Sequence, residues 1–335
     1  MNIIIPMAGM GKRMRPHTLT IPKPLLPIAG KPIVKRLVED IVKVAGATVS
    51  EIGFVVGHFG EQVEKSLLHI AESVGAKGRI FYQEEALGTA HAIYCAQELL
   101  KGKTIVAFAD TLFKADFILN TEEDGIIWVQ KVADPSAFGV IKLNEVNHIT
   151  EFVEKPASFI SDLAIIGIYY FRKGEQLKSE IEFLLENKIE RKGEYQLTDA
   201  LENMKSKGTK FVPGQVTEWL DCGNKDATVF TNQRYLEYIK NSGNLVSESA
   251  KITESVILPP VYIGENVNLH NTVIGPHVSV GDNTVIKDSR IKNSIIQNGT
   301  IIRNANLSNS MVGNFVSFDG KISEVSIGDY NTITE

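Results

Sequence analysis

The sequence predicts an α/β protein in which a doubly wound, mostly parallel sheet is followed by a short parallel β-helix. From residue 1 to about 225, short aliphatic runs alternate with amphipathic segments, which is the order typical of a parallel sheet with helices on both faces. From about Val246 onward the helical period disappears. Aliphatic residues there recur about every six positions, as in a hexapeptide-repeat β-helix.

In the first part of the chain, buried strands are predicted over residues 3–5, 52–57, 80–83, 104–110 and 125–130. Helices are predicted over 33–44, 62–74, 89–100 and 226–239. Two further strands, over 138–143 and 164–171, are expected to be less regular in direction. Because ligands bind beyond the carboxyl ends of parallel strands, the residues that follow each strand are candidate site residues.

The second part is predicted from its repeated aliphatic positions, with glycine, asparagine and aspartate at the turns between them. These positions are Ile263, Leu269, Ile274, Val280, Ile286, Ile296 and Ile302. The repeat slips by one residue in places, so irregular coils are expected. A β-sandwich would alternate with period two and fits less well. We therefore expect one domain over residues 1–240 and a β-helix domain over 246–335.

Composition narrows the function classes. The chain has 335 residues and a net charge of −5, so composition gives no electrostatic support for a nucleic-acid partner. Cys95 and Cys222 are too few and too far apart for a disulfide framework or a zinc site. No apolar run approaches the length of a membrane span or a signal peptide. We expect a soluble cytoplasmic protein with no membrane partner.

A glycine-rich loop follows the first predicted strand: Gly9-Met10-Gly11-Lys12-Arg13. The dinucleotide fingerprint would need a glycine where Met14 stands, and the P-loop would need Ser or Thr where Arg13 stands. Both standard phosphate loops are therefore excluded. The glycines would still let backbone N–H groups reach a triphosphate, with Arg13 as a forked cationic clamp. Prolines on both sides of Lys23 would hold its backbone in one place.

The full motif continues as Pro22-Lys23-Pro24-Leu25-Leu26-Pro27, followed by Lys31-Pro32. In this form it resembles the signature of the sugar-1-phosphate nucleotidylyltransferase family, and among its members the glucose-1-phosphate thymidylyltransferases that carry an added left-handed β-helix. The resemblance covers essentially the whole chain and implies a Rossmann-like nucleotidyltransferase fold. One departure is Pro6, where the family usually has an aliphatic residue.

The resemblance implies a catalytic role for Arg13 and Lys23 and a nucleotide-binding role for Gly9, Met10, Gly11, Gln83 and Gly88. A glutamine carboxamide offers a donor and an acceptor side by side, which suits the edge of uracil or thymine, so dTTP or UTP is the favoured nucleotide. Gly88 would let backbone groups approach the base. The structural alternative is that Gln83 is a polar residue at a strand end and Gly88 a break before a helix.

The family's two magnesium ligands match Asp110, in Phe108-Ala109-Asp110, and Asp221, in Trp219-Leu220-Asp221. Mg²⁺ needs few protein carboxylates when phosphate oxygens and water complete its shell, so two ligands suffice. A single aspartate at a strand end is more often a turn residue or a helix cap. Here, however, two aspartates stand at the positions of the family's metal ligands. The resemblance therefore implies a Mg²⁺ cofactor.

The sugar-phosphate pocket of the family matches Gly139, Glu154, Lys155 and Gly167. In that pocket Glu154 would accept hydrogen bonds from sugar hydroxyls and Lys155 would bind the phosphate. Residues 195–199 are similar to a further strip of the sugar site, although Thr198-Asp199 also fits a helix N-cap.

The expected reaction joins an NTP and a sugar 1-phosphate, glucose 1-phosphate being favoured, into an NDP-sugar with release of pyrophosphate. One alternative is a regulatory sugar-nucleotide-binding protein without turnover. Such a protein should lack a metal carboxylate, Arg13 or Lys23. Another is a bifunctional enzyme whose β-helix transfers acyl groups with His270 or His277 as base. We expect instead a structural β-helix that also contributes to a homo-oligomer. Tyr330 and Thr332 add no cofactor motif.

Overall fold

A computed structural model describes residues 1–9, 11–115 and 118–320. The chain divides into two compact units. One comprises Met1–Leu26 and Lys31–Ala227, and the other comprises Pro27–Gly30 and the chain from Thr228 onward. Residues Met10, Tyr330 and Thr332, on which predictions were made, lie outside the described part.

Among the described residues, the first unit carries five helices and the first residues of a sixth, most of which lies in the second unit. The helices are α1 Ile33–Ala45, α2 Glu61–Ser73, α3 Thr89–Tyr94, α4 Gly174–Glu186, α5 Leu197–Ser206 and α6 Lys225–Ile239. Short 3₁₀ turns cover Lys12–Met14, Lys23–Leu25 and Gln97–Leu99. None of the helices in the described residues has the length and apolar character of a membrane span.

The strands up to residue 221 are β1 Asn2–Pro6, β2 Pro27–Ile28, β3 Lys31–Pro32, β4 Glu51–Val56, β5 Lys77–Tyr82, β6 Thr104–Ala107, β7 Thr111–Lys114, β8 Gly125–Lys131, β9 Gly139–Leu143, β10 Ile149–Glu154, β11 Leu163–Phe171, β12 Phe211–Gln215 and β13 Glu218–Asp221. The main sheet has the order β10-β9-β11-β6-β1-β4-β5, with β8 and β12 paired beyond β11. The predicted fold class is confirmed.

Strand direction changes across this sheet. β6, β1, β4 and β5 are parallel, whereas β11 runs antiparallel to β6 and β8. The pairing of β11 with β8 shifts register between Ile165 and Tyr169. Gly167 lies in this irregular stretch with φ +84°, a left-handed conformation that favours glycine. The prediction that the strands over 138–143 and 164–171 are less regular in direction is therefore confirmed.

Two predicted elements are shorter in the structure. The helix predicted over 89–100 ends at Tyr94 and is followed by the 3₁₀ turn Gln97–Leu99. The strand predicted over 104–110 ends at Ala107 because the chain then turns, the Thr111 N–H donating to the Phe108 carbonyl at 3.3 Å. Asp110 consequently lies on a turn between β6 and β7, just beyond the strand end.

From Lys251 onward, the described part of the second unit is a parallel β-helix. Its strands are β14 Lys251–Thr253, β15 Val256–Ile257, β16 Val261–Ile263, β17 Asn268–Ile274, β18 Val278–Val280, β19 Val285–Lys292, β20 Ser294–Ile296, β21 Ile301–Arg303, β22 Asn306–Ser308, β23 Met311–Val312 and β24 Ser317–Asp319. All their ladders are parallel. The repeated aliphatic residues predicted from the sequence are buried and pack in one core cluster.

The coils are shorter than the 18 residues that three six-residue sides would give. Lys251 pairs with Asn268, 17 positions along the chain, whereas Val285 pairs with Ile301, 16 positions along. The irregularities in the repeat therefore correspond to turns that are one or two residues shorter, and the aliphatic stacks stay aligned.

Asparagine and aspartate stack at the turns of the β-helix. Asn271 and Asp288 have φ of +50° and +49°, and the Asn271 Nδ2 donates to the Asp288 Oδ1 at 2.7 Å. Asn293 and Asn309 form an equivalent pair at 2.6 Å. These short polar side chains tolerate a left-handed backbone better than other non-glycine residues do. That tolerance explains their repetition in the sequence.

We expect Ile286→Ala to lower the free energy of unfolding by about 2–5 kcal/mol, because Ile286 is fully buried and its removal leaves a cavity in the aliphatic stack. Arg290→Ala, at an exposed position of the same strand β19, is the control and should change stability by less than about 0.5 kcal/mol. Urea denaturation measures both. Equal effects of the two substitutions would contradict the packing argument.

Candidate active site

The candidate site lies at the carboxyl edge of the parallel strands in the first unit. β1 lies between β4 and β6, so the chain leaves β1 toward one side of the sheet and later returns on the other. This is the topological switch point at which such sheets bind ligands. A cavity of about 410 Å³ opens there. Its lining includes seven residues predicted from the sequence: Gly9, Gly11, Arg13, Lys23, Gln83, Gly88 and Asp110.

The two glycines of the loop differ in what their missing side chains allow. A Cβ on Gly9 would meet no atom within 4 Å, so Gly9 leaves open space beside the cavity. Gly11 has φ +55°, and a Cβ there would stand 3.0 Å from the Cβ of Lys23 and 3.2 Å from the Cγ2 of Thr18. The left-handed backbone and the close approach of Lys23 therefore both favour glycine at position 11.

Lys23 and Asp110 form an ion pair. The Lys23 Nζ donates to the Asp110 Oδ2 at 2.8 Å, and the lysine side chain is only 11% exposed while the carboxylate is 38% exposed. The 3₁₀ turn Lys23–Leu25, between Pro22 and Leu26, sets the lysine backbone. The pair brings the predicted catalytic lysine and a predicted metal ligand into one group.

Asp221 joins this group through paired strand ends. β13 pairs with β7 so that Asp221 is opposite Thr111, and the Cys222 N–H donates to the Asp110 carbonyl at 3.0 Å. The pKa of Asp221 is raised, first by burial and then by the negative charge of Asp110. The Gly223 N–H, Lys23 and Arg13 act in the opposite direction. The Arg13 Nη2 lies 3.3 Å from where a Cβ on Gly223 would stand.

This donor set fits a divalent cation of the magnesium type. Two carboxylates approach closely enough for one to raise the pKa of the other, and a cation shared by both would relieve that repulsion. Among the described residues no group of three His, Cys, Asp or Glu side chains forms a metal cluster. Mg²⁺ commonly takes one or two protein carboxylates and completes its shell with phosphate oxygens and water. Asp110 and Asp221 would be those ligands.

At the other end of the cavity, Gln83 follows β5 and Gly88 precedes α3. The Gln83 Nε2 is 3.2 Å from the Gly88 carbonyl oxygen and 3.2 Å from the Nδ1 of His91. Burial lowers the pKa of His91, while the charge of Glu85 raises it less strongly. Gly88 has φ +105° and touches the backbone of Tyr195, whose N–H donates to the Leu87 carbonyl.

Of the four predicted sugar-phosphate residues, Gly139, Glu154 and Lys155 form a second group at β9 and the end of β10, whereas Gly167 lies on β11. Gly139 pairs with Glu154 across β9 and β10, and a Cβ on Gly139 would stand 3.1 Å from the Glu154 Oε2. The Lys155 Nζ lies 3.6 Å from the Glu154 Oε1. Gly167 adjoins Phe108, a residue of the cavity lining, and its carbonyl accepts from the Phe108 N–H at 2.9 Å.

The alternative interpretation of Thr198-Asp199 as a helix cap is wrong. α5 begins at Leu197 with Gln196 in the cap position and no side-chain capping bond, so both residues are already helical. The Thr198 hydroxyl is buried beside Gly139 and has no hydrogen-bond partner among the described residues. Asp199 instead forms an ion pair with Arg191, Nη2 to Oδ1 at 2.6 Å.

The family model described as "Nucleotidyl transferase" matches residues 2–238. The chain belongs to the nucleotidyl transferase family. A second model, described as "GlmU-like, C-terminal hexapeptide", matches residues 238–289. The resemblance predicted from the glycine-rich loop and the proline-flanked lysine is confirmed.

Curated relatives of this nucleotidyl transferase carry several names. "Bifunctional protein GlmU" of Methanococcus vannielii is 32% identical over 77% of this chain and 61% of its own length. "Low-salt glycan biosynthesis nucleotidyltransferase Agl11" of Haloferax volcanii is 29% identical over 89% of this chain and 92% of its own. "Glucose-1-phosphate thymidylyltransferase" of Streptomyces antibioticus is 28% identical over 88% and 87%. The chain thus spans about three fifths of the GlmU relative's length.

Among solved structures, a crystal structure of UDP-glucose pyrophosphorylase complexed with UDP-glucose is similar to this nucleotidyl transferase. The TM-score is 0.58 and the sequence identity 26%, and the match covers 71% of this chain and 98% of the other.

Sequence reasoning missed two charged residues of the cavity lining, Lys12 and Glu194. Lys12 lies inside the loop motif at a position where the family pattern allows any residue. Glu194 forms an isolated antiparallel bridge with Arg191, at a point where the chain returns to a cavity that is otherwise lined mostly by residues 6–110. No local sequence signal points to that return, because the contact is tertiary.

We expect Gly88→Ala to lower both thermal stability and nucleotide affinity, because the new Cβ would meet the Tyr195 carbonyl oxygen at 2.6 Å and its nitrogen at 2.7 Å. Gly60→Ala is a matched control. Gly60 also precedes a helix, its φ of +89° and ψ of 158° resemble the 105° and 179° of Gly88, and no atom lies within 4 Å of its Cβ position. Both variants share a backbone strain of about 1–3 kcal/mol. Because the clash with Tyr195 exists only in Gly88→Ala, only that variant should also raise the nucleotide KM.

Proposed function

We propose that this nucleotidyl transferase joins a nucleoside triphosphate and a sugar 1-phosphate into an NDP-sugar with release of pyrophosphate. dTTP or UTP is the favoured nucleotide, and glucose 1-phosphate is the favoured sugar phosphate. The observation that carries the proposal is the meeting of Arg13, Lys23, Asp110 and Asp221 at the switch point of the sheet. The relatives named glucose-1-phosphate thymidylyltransferase and the similar UDP-glucose complex support this substrate class.

In the proposed reaction a phosphate oxygen of the sugar 1-phosphate attacks the α-phosphorus of the nucleotide. The bond from that phosphorus to the oxygen bridging the α- and β-phosphates breaks, and pyrophosphate leaves with the electron pair. The attacking monoester has a second pKa of ~6 and is already ionised near neutral pH. No general base is needed. Catalysis is therefore a matter of positioning and charge stabilisation.

The residues of the site suit that task. Lys23, held by Asp110 at 2.8 Å, and Arg13, which is near Gly223, are cations placed beside the glycine-rich loop. Gly9 leaves room for a phosphate against the backbone. Lys155, next to Glu154, would bind the phosphate of the sugar, and Glu154 would accept from sugar hydroxyls. Mg²⁺ bound by Asp110 and Asp221 would neutralise charge on the reacting phosphate.

Acyl transfer by the β-helix is less well supported. The His277 Nε2 lies 2.6 Å from the Glu237 Oε1, with the histidine side chain 17% exposed, so this ring is engaged within the second unit. The His270 Nδ1 is 3.1 Å from the Thr253 Oγ1. Both contacts are consistent with structural roles.

A pyrophosphate-release assay with the full-length protein tests the function. It crosses dTTP, UTP, GTP, ATP and CTP with several sugar 1-phosphates in the presence of Mg²⁺. Release that depends on both substrates, greatest with dTTP or UTP, is the expected result. Binding without release would favour the regulatory alternative. Acetyl transfer from acetyl-CoA to an amino-sugar phosphate, measured in a parallel reaction, would favour a bifunctional enzyme.

A further inference from the structure

His91 is a polar residue that the proposed reaction does not use. It lies in α3, one turn after Gly88, and it is only partly buried. Its Nδ1 is 3.2 Å from the Nε2 of Gln83, which lines the 410 Å³ cavity. A side chain that contacts the amide of a predicted base-binding residue can decide which atom of that amide meets the base.

The orientation of the Gln83 amide follows from its neighbours. The Gly88 carbonyl oxygen, 3.2 Å from the Nε2, can only accept a hydrogen bond, so the amide must present its NH₂ group on that side. The opposite orientation would bring two oxygens together. The second N–H of the same group is directed to His91 Nδ1.

His91 can accept this second bond only as a neutral ring with its proton on Nε2. Burial, which is the larger effect, lowers the pKa of His91 and favours the neutral ring, and the opposing charge of Glu85 is the smaller effect. Two acceptors, one on the backbone and one on His91, therefore hold the NH₂ group of Gln83. The Oε1 is the amide atom left to meet a ligand in the cavity.

We propose that His91 is a positioning residue that presents the Gln83 Oε1 to the nucleobase and thereby selects bases with a ring N–H donor. Uracil and thymine carry such a donor at N3, and guanine carries one at N1. Cytosine has a ring acceptor at N3 and adenine has one at N1, so at this ring position either base would face the Oε1 with two acceptors and no proton, and each would have to shift to offer its exocyclic amino group instead. The inference rests on the proposed function, because it assumes that Gln83 meets the base of a bound nucleotide.

UTP and CTP give the sharpest comparison because they have the same size and charge. His91→Leu removes the acceptor. His91→Asn introduces a side chain that branches at Cγ, as leucine does, but it can place an oxygen near the former Nδ1 position. We expect His91→Leu to lower the UTP:CTP binding ratio about fivefold, the effect of one neutral hydrogen bond. His91→Asn should keep the ratio within roughly twofold of the wild type, since it restores an acceptor.

The experiment uses the full-length protein and two direct readouts besides turnover. Calorimetric titration with UTP and with CTP, each with Mg²⁺, gives the binding ratio for the wild type and both variants. Nitrogen-15 NMR of the histidine rings gives the tautomer of His91, expected to be protonated at Nε2. A proton on Nδ1 would overturn the inference, and so would equal binding of UTP and CTP by the wild type.

The remaining outcomes separate the positioning role from the proposed reaction. An unchanged ratio in His91→Leu, or a ratio in His91→Asn as low as that in His91→Leu, would overturn the positioning role even if pyrophosphate is released. Selective UTP binding that depends on His91, without pyrophosphate release with any sugar 1-phosphate, would support the positioning role and reject the proposed function.

Discussion

Asp110→Asn and Asp221→Asn are each expected to lower Mg²⁺-dependent pyrophosphate release by about 10²–10³-fold, as loss of a charge-stabilising contact at a reacting centre typically does. The two carboxylates belong to one group: the Cys222 N–H donates to the Asp110 carbonyl, and burial together with the charge of Asp110 raises the pKa of Asp221. An amide keeps the shape of the carboxylate but lacks the negative charge that would hold the cation. Initial rates over a range of Mg²⁺ concentrations measure the effect.

Stability separates this loss of activity from unfolding. The pKa of Asp221 is raised in the folded protein, so above that pKa its ionised form destabilises the fold. This cost is absent at pH values low enough to keep the carboxyl protonated in both the folded and the unfolded protein. At neutral pH, Asp221→Asn removes the cost and should leave Tm unchanged or higher. Asp288→Asn, in an exposed β-helix pair, is a control that should change neither rate nor Tm. A near-wild-type rate in Asp110→Asn or Asp221→Asn would reject the metal assignment.

Local patterns in the sequence predicted the sheet, the β-helix and the loop after β1, because each depends on a short period or a dense motif. The seven repeated aliphatic residues, from Ile263 to Ile302, are buried as the six-residue repeat requires. α4 was not predicted, although its buried Leu177, Ile181 and Leu184 follow a helical period. That signal was present in the sequence and could have found the helix.

Other features of the site depend on contacts between distant residues, and no local pattern contains them. Lys23 and Asp110 are 87 positions apart, and their ion pair exists only because β1 and β6 are neighbours in the sheet. The sequence likewise gives Gly9 and Gly11 the same role. Only the structure distinguishes Gly11, whose left-handed backbone and close contact with Lys23 and Thr18 favour glycine, from Gly9, which leaves open space. The contact between His91 and Gln83 spans only eight positions, but it depends on how α3 meets the end of β5, which no local pattern specifies.

Arg13→Ala and Lys155→Ala are expected to impair different substrates. Arg13 lines the cavity of the glycine-rich loop, so its loss should mainly raise the KM for the nucleotide or lower kcat. Lys155 belongs to the second group, beside Glu154 and with 62% of its side chain exposed, so its loss should mainly raise the KM for the sugar 1-phosphate. Each loss should cost about 10²–10³ in the affected kcat/KM, as for comparable charge-stabilising donors.

The measurement is a full set of kinetic constants for both substrates in both variants. Lys142→Ala is the control for Lys155→Ala, because Lys142 is a lysine of the neighbouring strand β9 that pairs with Glu151 at 2.7 Å and lies outside both groups. It should leave both KM values unchanged, since a partly exposed ion pair contributes little. If Arg13→Ala and Lys155→Ala raise the same KM by the same factor, the two cations share one phosphate and the division into two groups is wrong.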